Sequence, residues 1–157
     1  MSNPIVRPME VEDRADVIEW LADSDPWKRL GYNVNDWDSY FAPLPQGRDS
    51  YVLDHDGRVA GIAVLRQKFL LGDYVELLGV AGWARGAGLG GLLLAHVEAV
   101  VFERAKNLFV CVSDFNDQAR RFYQKQGYQE IGPLPNFLVS GSSEILLRKT
   151  SGPAKGK

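Results

Sequence analysis

The stretch LLGVAGWARGAGLGGLLL, Leu77–Leu94, decides the fold. An apolar run leads into a glycine-rich turn that carries Arg85, and the turn opens directly into leucines at helical spacing. Glycine lets backbone N–H groups approach a ligand closely, because no side chain stands in the way. The first four N–H groups of a helix lack intrahelical partners, and the helix dipole adds partial positive charge there. The stretch therefore predicts a strand, a turn and a helix N-terminus that together hold an anion, usually a phosphate.

The rest of the chain predicts an α/β (α+β) fold around this unit. The turn signals Asp56-Gly57 and Gly72-Asp73 join three consecutive strands, which should be antiparallel neighbours. The strand after the glycine turn and its helix should instead run parallel to the strand before them. Strands are expected at residues 5–9, 51–53, 59–65, 74–80, 108–112, 128–131 and 144–148, and helices at 11–22, 88–105 and 116–126, with short helices after Asp25-Pro26 and after Asn35.

Composition and charge describe a globular domain of ordinary size. The chain has 157 residues, of which 45% are hydrophobic and 24% charged, and its net charge is −2. This charge gives no bulk attraction to nucleic acid or to a membrane surface. The N-terminus shows no signal-peptide pattern, no apolar run reaches membrane-spanning length, and the single cysteine, Cys111, excludes an intramolecular disulfide. We expect one cytoplasmic domain over residues 1–150 and a disordered tail over 151–157.

The glycine turn has three interpretations. Residues 86–91 satisfy G-x-G-x-x-G, but five residues separate them from the preceding strand, and a single β-α-β unit is too few for a dinucleotide-binding fold. A P-loop requires Gly-Lys-Ser/Thr, which is absent from the sequence. A turn that serves only close packing does not explain four glycines beside Arg85 at a helix start. An anion site remains the favoured interpretation.

Two motifs together resemble the GNAT superfamily of N-acetyltransferases. The first is Arg85-Gly86-Ala87-Gly88-Leu89-Gly90, and the second is Asn116–Tyr128, which contains Asn-x-x-Ala-x-x-Phe-Tyr and ends in Gly-Tyr. The chain departs from the family at Gly82, where proline is common. The resemblance implies a mostly antiparallel, twisted sheet of six or seven strands, with a central parallel pair splayed at the cofactor site and about four flanking helices.

The resemblance also implies acetyl-CoA as co-substrate. Its pyrophosphate would lie on the backbone of Arg85, Gly86, Ala87, Gly88, Leu89 and Gly90. Its pantetheine arm would pair with Leu78, Gly79 and Val80 and contact Asn116, and Tyr123 would stand beside the sulfur. A phenol with an ordinary pKa of about 10 can protonate a departing thiolate, which suits a catalytic role for Tyr123.

The proton acceptor for the amine is less sharply indicated. Strand alternation puts Glu76 on the same face as Tyr74 and Leu78, beside the expected thioester, and we expect Glu76 to act through a water molecule. Glu144 is a second candidate. Cys111 lies in an apolar strand and is expected to be inert, and no zinc-ligand spacing occurs, so no metal is expected.

The acceptor is expected to be an amine of a small molecule, or a protein N-terminus or lysine. Rings between Trp27 and Phe41 and the loop that contains Asn136 should form its pocket, with Trp27, Tyr32 and Asn136 as contacts. Aromatic rings serve packing or attract ammonium groups, and both interpretations stay open. The sequence is compatible with a homodimer. A non-catalytic acyl-CoA-binding domain of the same fold is the alternative function.

Overall fold

Seven strands and four α-helices make up the part of the chain that the computed structural model describes, residues 3–43 and 46–155. The strands are β1 Ile5–Pro8, β2 Arg48–His55, β3 Arg58–Phe69, β4 Gly72–Val80, β5 Asn107–Ser113, β6 Gln129–Pro135 and β7 Ser143–Thr150. The helices are α1 Arg14–Leu21, α2 Val34–Phe41, α3 Leu89–Arg104 and α4 Asp117–Lys125, with short 3-10 helices at Val11–Asp13 and Gly82–Ala84.

The strands form one mixed sheet in the order β1-β2-β3-β4-β5-β7-β6. The neighbouring pairs are antiparallel except β4 and β5, which run parallel. This parallel ladder is short, because it joins only Gly72–Val75 to Asn107–Val110. Beyond it the two strands no longer pair, and the sheet opens between Glu76–Val80 and Cys111–Ser113. The predicted fold class, including the splayed parallel pair, is confirmed.

Both faces of the sheet are covered. On one face α3 and α4 pack over a core that includes Leu93, Leu108 and Leu147. On the other face α1 and α2 pack over a core that includes Val17 and Phe41. These five side chains are fully buried, and burying one such chain contributes about 1.5–3 kcal/mol. The two cores fix the helix that follows the glycine turn and the aromatic helix α2 on opposite sides of the opening.

The segment after Asp25-Pro26 is not the predicted helix. It forms consecutive turns, in which the Lys28 N–H donates to the Ser24 carbonyl and the Leu30 N–H donates to the Pro26 carbonyl, both at 2.9 Å. This segment is too short for the free energy gained by helix propagation to outweigh the cost of helix nucleation. The start of α2 also differs from the prediction, because its N-cap is Asn33 and not Asn35. The Asn33 side chain accepts from the Asp36 N–H at 3.0 Å, and the Asp36 carboxylate accepts from the Asn33 N–H at 2.9 Å.

The C-terminal strands are longer than predicted. Pro133 and Pro135 lie in β6, which is tolerated because β6 is an edge strand. After β7, the Ser151 N–H donates to the Lys106 carbonyl at 2.9 Å. The disorder expected for residues 151–157 stays a prediction, and residues 156 and 157 lie outside the described part. Residues 44 and 45 of the predicted loop 43–47 also lie outside it.

Candidate active site

The opening in the sheet begins at a β-bulge on β4. Glu76 has no partner on β3, because Val75 and Leu77 pair with two consecutive residues there. The extra residue reverses the alternation of side chains: Val75 belongs to the core under α3, whereas Leu77 belongs to the core under α1. Leu78 packs on the α3 side. The prediction that Leu78 shares a face with Glu76 is therefore wrong.

The glycine turn leaves the start of α3 open. Gly86 and Gly88 have φ angles of 86° and 75°, a region that favours glycine. Within residues 3–43 and 46–155, no heavy atom other than those of the chain neighbours lies within 4 Å of the position that a Cβ would take on either residue. Gly88 is the N-cap of α3, no side chain caps the helix, and its first turn contains no acidic residue. Arg85 is exposed beside this turn, and its Nε lies 3.5 Å from the Val80 carbonyl oxygen. These residues fit a pyrophosphate group.

A cavity of about 740 Å³ occupies the space where β4 and β5 separate. This volume lies in the usual range for small-molecule sites. Trp27, Tyr32, Glu76, Leu78, Asn116 and Tyr123, all predicted site residues, line it together with Tyr40, Arg66, Tyr74, Cys111, Ser113, Phe137, Leu138 and Glu144. The cavity thus joins the two predicted catalytic residues to two of the three predicted acceptor contacts.

Asn136 is the predicted contact that the structure does not bring to the cavity. Its side chain accepts from the Gly141 N–H at 2.8 Å and closes the loop between β6 and β7. The neighbouring residues Phe137 and Leu138 line the cavity instead. Asn136 has a positive φ of 56°, which asparagine adopts more readily than most residues. The conformation of this turn therefore explains why an asparagine occupies position 136.

Tyr123 lies on α4, at the wall of the cavity. Its side chain is 5% exposed and packs against the rings of Phe122 and Tyr128, with centroid distances of 5.1 and 5.4 Å. Burial raises the pKa of Tyr123 well above its ordinary value. Asn116 is the N-cap of the same helix, and its Oδ1 accepts from the Ala119 N–H at 3.1 Å. Tyr123 is therefore a phenol that keeps its proton, and the Asn116 amide nitrogen is not used by the cap.

Glu76 is held by two arginines and a tyrosine. One carboxylate oxygen lies 2.7 Å from Arg66 Nη2, and the other lies 2.8 Å from Arg48 Nε. The Tyr40 hydroxyl from α2 donates to the same carboxylate. Burial and this hydrogen bond raise the pKa of Tyr40. The negative charge of Glu76 is thus compensated within the protein.

Glu144 is a second carboxylate in the cavity, and its surroundings differ. Its side chain is 5% exposed and accepts a hydrogen bond of 2.7 Å from Ser113 Oγ. The two residues lie opposite each other in the β5–β7 register. Among the described residues, no lysine, arginine or histidine forms an ion pair with Glu144. Burial raises the pKa of Glu144, and the Ser113 hydrogen bond only partly opposes this shift. Glu144 is therefore an uncompensated carboxylate.

The aromatic wall of the cavity is built around Trp37. Its ring lies 6.1 Å from Trp27, 5.6 Å from Tyr32 and 5.9 Å from Tyr40, measured between centroids. Trp37 is buried, whereas Trp27 and Tyr32 are half-buried. Trp27 also covers β4, because its Cη2 lies 3.0 Å from the position that a Cβ would take on Gly79. Trp37 also lines the cavity, so one ring cluster serves both core packing and the pocket wall.

Several site residues were missed by sequence reasoning because they meet only through strand register. Arg48 and Arg66 are opposite each other on β2 and β3, and together they hold Glu76. Ser113 meets Glu144 in the same way.

Cys111 lies in an apolar strand, but its side chain is not enclosed in a core. It is half-buried and lines the cavity. Burial raises the pKa of its thiol, which keeps it a poor nucleophile.

Within residues 3–43 and 46–155, no helix is long and apolar enough to cross a membrane. No group of three or more His, Cys, Asp or Glu side chains there is arranged to hold a metal ion. A larger concavity of about 850 Å³ lies beside α1, and its lining includes Asp16, Glu19 and Asp23. Arg58 and Arg85 also line it, so its charges are mixed.

The fold and the site define the class of protein. Residues 14–128 match the model of the Acetyltransferase (GNAT) family. This match spans most of the sequence, and the chain belongs to that family. The protein is an acyltransferase of the GNAT fold, and the predicted family resemblance is confirmed.

Two relatives that are similar in sequence carry acetyltransferase names. The chain is 34% identical over 108 residues to an uncharacterized N-acetyltransferase of Methanocaldococcus jannaschii, covering 68% of this chain and 69% of that protein. It is 36% identical over 80 residues to a blasticidin-S acetyltransferase of Streptomyces morookaense, covering 48% of this chain and 56% of that protein. The second match is confined to about half of each chain.

Solved structures share the whole fold. The ribosomal-protein-S18-alanine N-acetyltransferase from Escherichia coli matches with a TM-score of 0.78 at 19% identity, over 99% of this chain and 98% of that one. An aminoglycoside 6'-N-acetyltransferase complexed with coenzyme A matches with a TM-score of 0.77 at 15% identity, over 97% of this chain and 99% of that one. At these identities the likeness concerns the fold.

Proposed function

We propose that the protein transfers the acetyl group of acetyl-CoA directly to a primary amine, with both substrates bound at once. The observation that carries this proposal is the uncapped start of α3 beside the opening between β4 and β5, where Tyr123 lines the cavity. One end of this arrangement suits the phosphates of a coenzyme, and the other suits a reacting thioester. A relative of the same fold is complexed with coenzyme A, which supports the same co-substrate here.

The backbone of the chain supplies most of the proposed acetyl-CoA site. The N–H groups of residues 86–90 hold the pyrophosphate, and the Arg85 side chain adds a full positive charge, whereas the Arg85 N–H donates to the Gly82 carbonyl at 3.5 Å. The edge of Leu78, Gly79 and Val80 that β5 leaves unpaired holds the pantetheine arm through strand-like hydrogen bonds. Asn116 donates to the same arm through its amide nitrogen. An N–H group near Val80 stabilises the oxyanion that forms at the thioester carbonyl.

Tyr123 acts as the general acid in this proposal. It donates its proton to the thiolate that leaves, and its raised pKa ensures that the phenol is protonated throughout the neutral range. A cavity carboxylate accepts the proton of the amine. Glu76 is the candidate indicated by the sequence, and its role stays a prediction. No metal is part of the proposed mechanism.

The family does not fix the acceptor. Named relatives act on blasticidin S and on a ribosomal protein, which differ widely in size. The cavity of this chain is lined by Trp27, Tyr32 and Phe137, which come from irregular segments. An amine of a small molecule or of a protein N-terminus or lysine stays in the proposal. Cytoplasmic location and a homodimer also stay predictions, and sedimentation analysis tests the dimer.

Tyr123→Phe tests the proposal, because it keeps the ring and removes the proton. General acid catalysis is typically worth 10²–10⁴-fold, so kcat should fall by about that factor while the acetyl-CoA Kd, measured by calorimetry, stays the same. Tyr128→Phe is the matched control. Tyr128 belongs to the same ring cluster but donates to Glu98, and its loss should lower thermal stability without lowering kcat.

Two results contradict the proposed function. A Tyr123→Phe variant as active as the parent between pH 7 and 9 would show that this ring only packs. A parent protein that binds acetyl-CoA but releases no CoA with any amine of a broad panel would support the non-catalytic acyl-CoA-binding alternative. A thiol-release assay, applied to the Tyr123→Phe variant and to the parent, distinguishes these two results.

A further inference from the structure

The two carboxylates of the cavity are not equivalent. Glu76 is neutralised by Arg48 and Arg66, so an incoming ammonium group gains little from approaching it. Glu144 has the neutral Ser113 hydroxyl as its hydrogen-bond donor and no cationic partner among the described residues. A buried carboxylate without a counter-ion is costly, and a cationic ligand removes that cost. The cavity therefore attracts a cation to the β7 side.

The negative charge of Glu144 affects the pKa of titratable groups on the other walls of the cavity. Together with burial, which has the larger effect, it raises the pKa of Tyr32, Tyr74 and Cys111. The neighbouring Asp114 adds a second negative charge, and Leu134 pairs with Glu144 from β6 without adding any. Among the described residues, the titratable groups whose pKa Glu144 affects are thus neutral, and Arg120 donates to the carbonyl oxygen of Asp114 at 3.2 Å. The arginine that lines the cavity, Arg66, is paired with Glu76.

The remaining walls suit an apolar or aromatic body. Trp27 and Tyr32 are half-buried in the opening, and Phe137 is 53% exposed across from them on the β6–β7 loop. Aromatic faces attract cations and pack against apolar groups. We propose that the acceptor is a cationic primary amine with an aromatic or apolar body, and that Glu144 receives its ammonium group and accepts its proton. This inference rests on the proposed acetyltransfer function.

The proposed acetyl transfer removes two protons from the nitrogen of the acceptor. The ammonium group loses one proton to Glu144, directly or through a water molecule, and that proton then leaves to solvent. The free amine forms a C–N bond with the acetyl carbonyl carbon, and the C–S bond of the thioester breaks. Tyr123 gives its proton to the sulfur, and the second proton lost by the nitrogen restores Tyr123. A carboxylate with a raised pKa accepts a proton more readily than an ordinary one.

The test compares Glu144→Gln with Glu76→Gln at several pH values. Glutamine keeps an acceptor for the Ser113 hydroxyl, so the fold should persist, and a thermal melt checks it. With 2-phenylethylamine as acceptor, Glu144→Gln should lower kcat/KM about 100-fold at pH 7. The loss should shrink to less than about tenfold at pH 9.5, where free amine becomes abundant. The acetyl-CoA Kd should not change.

Glu103→Gln is the matched control, because Glu103 is exposed on the last turn of α3 and away from the cavity lining. This variant removes one carboxylate and should leave the pH profile of kcat/KM the same as that of the parent. Glu76→Gln should change kcat/KM by a factor that is constant with pH. A pH-dependent loss in Glu76→Gln with none in Glu144→Gln would overturn the inference in favour of the sequence-based assignment.

The acceptor class is tested with three probes in the parent. We expect 2-phenylethylamine to exceed both n-butylamine and phenylalanine in kcat/KM, because butylamine lacks the ring and phenylalanine adds a carboxylate that Glu144 repels. Equal values for 2-phenylethylamine and phenylalanine would overturn the role of Glu144 in acceptor selection. A parent inactive with every amine, yet binding acetyl-CoA, would overturn the proposed function and this inference with it.

Discussion

The two ends of the β4–β5 pair serve opposite purposes. At the closed end, the strands are so near that a Cβ on Gly72 would lie 2.1 Å from the Asn107 carbonyl oxygen. The Asn107 amide donates to the Leu71 carbonyl at 3.1 Å and accepts from Arg148 Nε at 2.9 Å. Buried Asp73 is paired with Arg104. The polar groups there have partners within the protein.

Beside the open end, some groups lack a charge partner or a cap among the described residues. Apart from chain neighbours, no heavy atom of these residues lies within 4 Å of the Cβ positions of Gly86 and Gly88, and Glu144 has Ser113 but no cation as its partner. Unpaired backbone N–H groups and an uncompensated carboxylate are costly for stability but available to a ligand. One half of the strand pair thus holds the fold, and the other half borders the proposed binding site. Mutations in the two halves should therefore act on different measured quantities.

The largest expected effect is at the closed end. Gly72→Ala places a Cβ against backbone atoms of Asn107, which cannot move without breaking the parallel ladder. We expect a loss of about 3 kcal/mol or more in the free energy of unfolding, measured by urea denaturation. Gly132→Ala is the control, because no atom lies within 4 Å of its Cβ position. Equal stability of Gly72→Ala and the parent would contradict the claim that the closed end of the β4–β5 pair holds the fold.

The next effect is at the open end, on binding. Gly88→Glu puts a carboxylate where the phosphates should lie, and acetyl-CoA binding by calorimetry should be lost. Gly88→Ala is the matched control, because both variants carry the strain of a positive φ, about 1–2 kcal/mol. Alanine adds no charge and should keep measurable affinity. A folded Gly88→Glu variant with the affinity of the parent would contradict the proposed phosphate site, and binding of NAD without CoA would favour a dinucleotide site.

The smallest effect concerns the stability contribution of Glu144. Its pKa in the folded protein is raised above the ordinary 4.5, so folding favours the protonated form. Its contribution to stability is fully present below pH 4.5 and is lost as the pH rises through the folded pKa. Glu144→Gln should therefore have a higher melting temperature than the parent at pH 7, by a few degrees at most. The difference should vanish near pH 4. A lower melting temperature at pH 7 would show that the carboxylate is compensated.

Much of the fold and part of the site follow from local sequence. The order of strands and helices, the parallel unit and the glycine turn follow from spacing between near neighbours, and α3, predicted over 88–105, spans Leu89–Arg104. The same spacing indicates Tyr123 and Asn116, because both lie on one helix with a recognisable motif. These features depend on the backbone conformation of residues close together in the chain. The types of side chain in such a segment largely determine that conformation.

The tertiary structure alone decided the chemistry around the acceptor. One extra residue at Glu76 reverses the face of Leu78, and the β2–β3 register turns two distant arginines onto Glu76. The β5–β7 register buries Glu144 beside Ser113, with no cation as partner in the described part of the chain. Spacing along the chain cannot reveal such pairings, because they join residues tens of positions apart and a shift of one residue exchanges the two faces of a strand. The sequence by itself determined a GNAT fold with a glycine turn at the start of a helix, and the long-range register decided which carboxylate has a cationic partner.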